Sequence, residues 1–166
     1  FRMSPMKQLL IIWHSRTGAA EAMARAAFEG AREEGEARIL RASEAGAEDL
    51  LGAGGFLFAA PENLAALSGE MKEFFDRCYY PVLGRIEGRA YAQMIAAGSD
   101  GANAARQLAR IATGWRLKEV QPPMIVNTDA QTPEQILARK TLPPGTLAKC
   151  RELGAGMMAG VASGIW

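Results

Sequence analysis

Short apolar runs alternate with helical periodicities along most of the chain. Leu9-Leu10-Ile11-Ile12-Trp13 is unbroken by any polar residue, the pattern of a strand buried on both faces. His14-Ser15-Arg16-Thr17-Gly18 follows as a loop. Ala20, Met23, Ala24, Ala27, Phe28 and Ala31 then fall on one face of a helix. Glu21, Arg25 and Glu29 sit four apart on another face and support it. Gly35 reads as its stop. Residues 37–40 predict a second strand and residues 47–51 a short helix. Residues 55–60 form the second clear apolar run, which Pro61 closes. Met71, Phe74, Phe75 and Cys78 mark another amphipathic helix, with Ser68 in the N-cap place. Residues 90–97 predict a further strand, ended by Gly98-Ser99-Asp100-Gly101. Leu108, Ile111, Ala112 and Trp115 give a third helix face. Residues 117–126 look extended, but Pro122-Pro123 bars them from a sheet interior, so they form an edge. A Pro-rich connector covers 132–144, either a loop of the domain or an arm on a neighbour. A last helix covers about 146–162.

Strands alternating with helices build βαβ units, hence a parallel sheet with helices on both faces. Five strands and five helices predict a three-layer α/β/α sandwich with the doubly wound order 2-1-3-4-5. A single domain over residues 6–166 is expected, with residues 1–5 set aside as a disordered start or an extraneous addition. In such a sheet ligands bind beyond the carboxyl ends of the strands, where the strand order reverses. Residues 13–20, 61–68 and 98–103 would converge there.

Composition narrows the function. The chain has 166 residues, of which 49% are hydrophobic and 22% charged, an ordinary globular balance. Nineteen Lys and Arg against eighteen Asp and Glu leave a net charge of +1. The two signs are interleaved, so nucleic acid is not an expected partner. No apolar run approaches the roughly 20 residues of a membrane span. Cys78 and Cys150 are too few and too far apart for a disulfide framework or a zinc site. They read as buried thiols in a reducing cytoplasm. One histidine, His14, makes a His-based metal site improbable, and no metal is expected. As a lone loop histidine it reads as a solvated surface residue.

The first loop suits a phosphate. Ser15 and Thr17 offer hydroxyls, Gly18 permits close backbone approach, and a helix N-terminus begins there. Thr17 serves equally well as a plain helix cap. Neither a Walker-type nor a Gly-x-Gly-x-x-Gly motif is present. Pro61-Glu62-Asn63-Leu64-Ala65-Ala66-Leu67-Ser68 offers amides and apolar atoms suited to a flat heteroaromatic ring, or is a simple connector. Trp13 reads as packing a helix on the sheet, Tyr79 and Tyr80 as surface packing, and Asp76-Arg77 as a solvated charged turn. Gly154-Ala155-Gly156 permits close packing of the last helix, within the chain or between subunits.

These residues carry a resemblance that covers nearly the whole chain. His14-Ser15-Arg16-Thr17-Gly18 resembles the phosphate loop of the flavodoxin-like superfamily. Ala60-Pro61-Glu62-Asn63, with the block from Leu67 to Arg77, resembles its flavin-ring loop and following helix. Ala97-Gly98-Ser99-Asp100-Gly101 falls where the third flavin loop lies. The nearer resemblance is to the NAD(P)H-dependent FMN reductase and quinone oxidoreductase branch. It implies non-covalent FMN, with Ser15, Arg16, Thr17, Gly18, Ala19 and Ala20 at the phosphate. Pro61, Glu62, Asn63 and Leu64 would line the ring, and Gly98, Ser99 and Asp100 would close the other side. It further implies NAD(P)H as co-substrate, a quinone or similar small acceptor, no dedicated catalytic side chain, and a homodimer or tetramer. Two departures stand out. Leu64 to Leu67 is aliphatic where relatives often carry an aromatic residue, and Ala20 stands where they often carry a hydroxyl. The alternative within the superfamily is a flavodoxin-type electron carrier; carriers tend to be acidic, which a net charge of +1 does not match.

Overall fold

The computed structural model describes residues 7–166; the expected extraneous start at residues 1–5 lies outside them. In chain order the elements are β1 (Leu9–Trp13), α1 (Ala19–Arg32), β2 (Ala37–Arg41), α2 (Ala47–Leu51), β3 (Gly55–Asn63), β4 (Ala66–Leu67), α3 (Gly69–Val82), β5 (Ala90–Ala97), α4 (Ala102–Gly114), β6 (Lys118–Glu119), β7 (Met124–Asn127), α5 (Pro133–Leu137) and α6 (Pro144–Ser163). The sheet runs β2-β1-β3-β5, parallel throughout, with β6 and β7 both on the outer edge of β5. This is the expected doubly wound order. Its fifth strand is broken in two, because Pro122 and Pro123 fall between the two pieces.

Side-chain alternation divides the core into two layers. Leu9, Ile11, Leu57 and Ala59 pack with Met23, Ala27 and Met157 of α1 and α6. Leu10, Ile12, Phe56 and Phe58 face α3 and α4, with Phe74, Phe75, Tyr91 and Trp115. There the rings meet edge to face, Phe58 and Phe75 at 5.0 Å and Phe75 and Trp115 at 5.3 Å between centroids, an arrangement aromatic quadrupoles favour.

β3 does not stop at Pro61. It continues to Asn63 and turns back as β4, pairing Glu62 with Leu67 and Asn63 with Ala66. β1 ends at Trp13, opposite Ala59, so it no longer asks for the N–H that Pro61 lacks. The expected ring loop is therefore a β-hairpin. α5 lies in the segment read as a Pro-rich connector. Thr132 caps it by accepting from the Gln135 N–H, and the Gln135 side chain accepts in return from the Thr132 N–H. Thr132-Pro133-Glu134-Gln135 carried that signal in the sequence. Asp76 and Arg77 lie inside α3, not in a turn. Arg77 pairs with Glu73 and also donates to the carbonyls of Ala42 and Ala45.

α1 and α6 touch backbone to backbone. A Cβ on Gly154 would stand 1.9 Å from the Ala27 carbonyl oxygen, and one on Gly30 2.0 Å from that of Arg151. Part of the small-residue run thus serves a contact within the chain. Gly154→Ala should lower the urea-unfolding free energy by about 2 kcal/mol, the scale of overpacking. Gly156→Ala, where a Cβ meets nothing within 4 Å, should raise it by up to about 1 kcal/mol through helix propensity.

Candidate functional site

The site is built where β1 and β3 end. Beyond Trp13 the chain leaves the sheet, and residues 15–18 fold back on themselves: Ser15 Oγ accepts from the Gly18 N–H at 3.0 Å. Gly18 is the N-cap of α1 at φ +103°, a conformation that costs glycine nothing. Thr17 does not cap the helix. The amides of residues 16, 17, 19, 20 and 21 donate to no acceptor among the described residues, so a bare helix N-terminus opens onto the loop.

The opposite wall is the β3–β4 hairpin, pinned to α4 by side chains. Glu62 accepts from the N–H of Gly101 at 3.0 Å and of Ala104 at 3.1 Å, which caps α4 from outside. Gln107 accepts from the Leu67 N–H at 2.7 Å, and Asn103 donates to the Ala65 carbonyl. At the tip, Leu64 and Ala65 have φ of 52° and 60°. Two central residues in the left-handed region make a tight primed hairpin turn, normally the province of Asn and Gly.

Between these walls lies a cleft lined by Ser15, Arg16, Thr17, Ala19, Ala20, Pro61, Glu62, Asn63 and Gly98. Nine of the expected contact residues thus share one cavity. Gly18 is not among the lining residues; it turns the loop into α1 at its left-handed φ. Leu64 does not line it, since it stands fully exposed at the hairpin tip. Ser99 and Asp100 are exposed and outside the lining; Asp100 accepts from the Ala102 N–H instead. A further wall has no signal in the sequence: Thr128, Ala130, Ile136, Leu137 and Lys140 also line the cleft. They lie more than a hundred residues after the first loop, and no local spacing joins them to it.

Next to the cleft stands a buried polar group. His14 is only 5% exposed, not the solvated residue its loop position suggested. Its Nδ1 lies 2.8 Å from Ser68 Oγ and its Nε2 3.6 Å from Glu70 Oε1. Ser68 starts α3, but its hydroxyl serves His14 and makes no cap hydrogen bond. Arg41 grips Glu70 through Nε at 2.9 Å and Nη2 at 3.2 Å, and that bond holds the Glu70 carboxyl below its ordinary range. Burial pushes the His14 imidazole below its ordinary value of 6.5, against the pull of Glu70. The ring is neutral at pH 7. With its proton on Nε2 it faces the carboxylate and accepts from Ser68, a tautomer that satisfies both neighbours. Trp13 is held between the guanidinium groups of Arg25 and Arg41, each 5.5 Å from the ring centroid. Cys78 and Cys150 are free and buried; burial raises both thiols, Cys150 to about 11, which leaves them unreactive. Tyr79 and Tyr80 flank a surface groove with Phe75 and Trp115, and do not line the cleft.

Bare amides and hydroxyls at one end, with backbone amides and aliphatic walls at the other, fit a ligand carrying a phosphate on a largely apolar body. Such a cleft at the point where the strand order reverses defines a doubly wound cofactor-binding domain. Residues 30–131 match the model of the family described as NADPH-dependent FMN reductase, and the chain belongs to that family. The match takes in the hairpin and the third loop, and excludes residues 15–20. A flavodoxin of Aquifex aeolicus is 38% identical over 86 residues, which make up 51% of this chain and 46% of that protein; the alignment spans about half of its length. Among solved structures, an archaeal flavodoxin superposes with a TM-score of 0.75 at 15% identity, over 93% of this chain and 98% of that one. A flavodoxin, WrbA-like protein from Agrobacterium tumefaciens gives 0.72 at 16% identity, over 94% and 98%. The rubredoxin oxygen:oxidoreductase of Desulfovibrio gigas gives 0.77 at 14% identity, over 98% of this chain but 38% of that one. The fold is flavodoxin-like. No helix among the described residues is long and apolar enough to cross a membrane.

Replacing Ala65 by Gly should relieve the turn and raise the unfolding free energy by about 0.5 kcal/mol, after the entropy Gly adds to the unfolded chain, read as a higher urea midpoint. Lowering the pH should expose the buried histidine. The unfolded chain takes up a proton near the ordinary value and the folded chain only below it, so the His14 contribution is full above pH 6.5 and is lost as pH falls below it. Glu70, also depressed, adds a further loss below its ordinary 4.5. Urea midpoints measured between pH 7.5 and 5.5 should fall for the native chain and stay flatter for His14→Gln.

Proposed function

We propose that this protein binds FMN without a covalent link and passes electrons from NAD(P)H to a quinone or similar small acceptor. The observation that carries the reading is the bare N-terminus of α1, facing a hairpin wall across one cleft. When bound, FMN supplies the redox chemistry, taking a hydride from a nicotinamide and returning the electrons to an acceptor. The chain's part is to hold and to shape. The amides of residues 16, 17, 19 and 20 and the hydroxyls of Ser15 and Thr17 would hold the phosphate at the positive end of α1. Pro61, Glu62, Asn63 and Gly98 line the ring end. The grip of α4 on the hairpin keeps that wall rigid, so the ring needs no reordering of the loop on entry. Leu64 points to solvent and does not stack there. No side chain is required as nucleophile, acid or base, and a small acceptor enters from the open side of the cleft.

A second reading is a flavodoxin-type electron carrier without nicotinamide turnover of its own. The 38% identity to a protein named flavodoxin favours it. A homodimer or tetramer, with the cleft near the interface, belongs to the first reading.

A visible spectrum of the purified protein, taken after FMN addition and gel filtration, separates these readings. Flavin bands that bleach with NADPH and return with a quinone are expected. Bands that survive filtration yet ignore both nicotinamides would move the protein to the carrier class. No retained flavin at micromolar FMN would overturn both.

A further inference from the structure

The segment after β7 returns to the phosphate loop and closes on it. Its first part is sewn to the third loop: the N–H groups of Thr128 and Ala130 donate to the carbonyls of Ala97 at 2.7 Å and Gly98 at 3.1 Å. Its last part is sewn to the first loop, where the Lys140 N–H donates to the Thr17 carbonyl at 2.8 Å. Between them, Ile136 and Leu137 line the cleft although their side chains are largely exposed.

Two cations arrive with this strap. The Lys140 ammonium donates to Thr17 Oγ1 at 3.3 Å, and to the Ile136 and Ala138 carbonyls at 3.0 and 2.6 Å. A hydroxyl oxygen that accepts from an ammonium has its own hydrogen turned away, free to donate elsewhere. The Arg139 guanidinium lies against Gly18, so close that a Cβ there would stand 2.9 Å from its Cζ. Arg16 joins them from within the loop. None of these three cations pairs with a carboxylate among the described residues. Elsewhere Arg25, Arg38, Arg41, Lys72 and Arg77 each have such a partner.

From this we infer that the strap makes the phosphate loop selective for a dianion: Lys140, which lines the cleft, neutralises the phosphate and aims the Thr17 hydroxyl at it, and Arg139 adds its charge from outside the lining, against Gly18. The inference rests on the flavin reading and deepens it. Both cations lie outside the segment matched by the family model. The ligand class it selects is a phosphorylated flavin over its unphosphorylated form.

The test is a fluorescence titration of the flavin-free protein with FMN and, separately, with riboflavin, which keeps the ring and lacks the phosphate. The native chain should prefer FMN, with an affinity that weakens as salt is added. Lys140→Met should weaken FMN binding about ten-fold or more, because it removes a neutralising charge together with the charge-assisted bond that orients the Thr17 hydroxyl, and flatten the salt dependence. Riboflavin binding should not move, and Lys140→Arg should restore most of the loss. Arg139→Gln should act in the same direction. Equal losses for both flavins would show a strap that only supports the wall, and unchanged FMN binding would show cations that do not reach the phosphate; either overturns the inference alone. A native chain that binds neither flavin overturns the flavin reading with it, and shows that before any variant is made.

Discussion

Everything in this fold is placed by β1. Its five residues, Leu9–Trp13, are all buried, with β2 on one side, β3 on the other and a helical layer against each face. A parallel strand enclosed this way can gain its burial only if both neighbours reach it through crossovers. That requirement fixes the doubly wound topology. It also fixes where the polar chemistry stands, since the first residues beyond the strand lie at the one edge where strand order reverses.

At that edge the structure meets a problem of unsatisfied groups. The end of β1, the start of α1 and the start of α3 all bring polar atoms together next to an apolar core. The His14–Ser68–Glu70–Arg41 chain satisfies one set internally, and in doing so ties β1, β2 and α3 together. Glu62, Asn103 and Gln107 satisfy another, between the hairpin and α4. The amides at the start of α1 are left over. The proposed function gives those bare donors an anion to receive.

Much of this was legible in the sequence. The runs at Leu9–Trp13 and Ala90–Ala97 and the faces of α1 and α4 follow from apolar spacing alone, because enclosed strands and amphipathic helices must show it. The two prolines correctly demote the fifth strand to an edge. Legibility failed where a residue's partner is distant. Pro61 looked like a terminator because a strand proline is judged by the hydrogen bond it removes, and only the register with β1 shows that none is lost. Ser68 looked like a cap and His14 like a surface residue because each was read against its own neighbours, 54 positions apart from the other. Leu64 was assigned to the ring because its loop was; the hairpin turn points it to solvent.

The sequence by itself determined the class of fold and the strand order, and with them the end of the sheet at which the cleft opens, since these depend on periodicity and turn chemistry encoded locally. It also determined the hydroxyl and glycine content of the loop after β1. Only the tertiary structure decided which side chains complete the site. Lys140 reaches Thr17 across 123 positions, and Glu62 reaches α4 across 39 and 42. Such contacts are settled by how the layers pack in space, which no local pattern along the chain records.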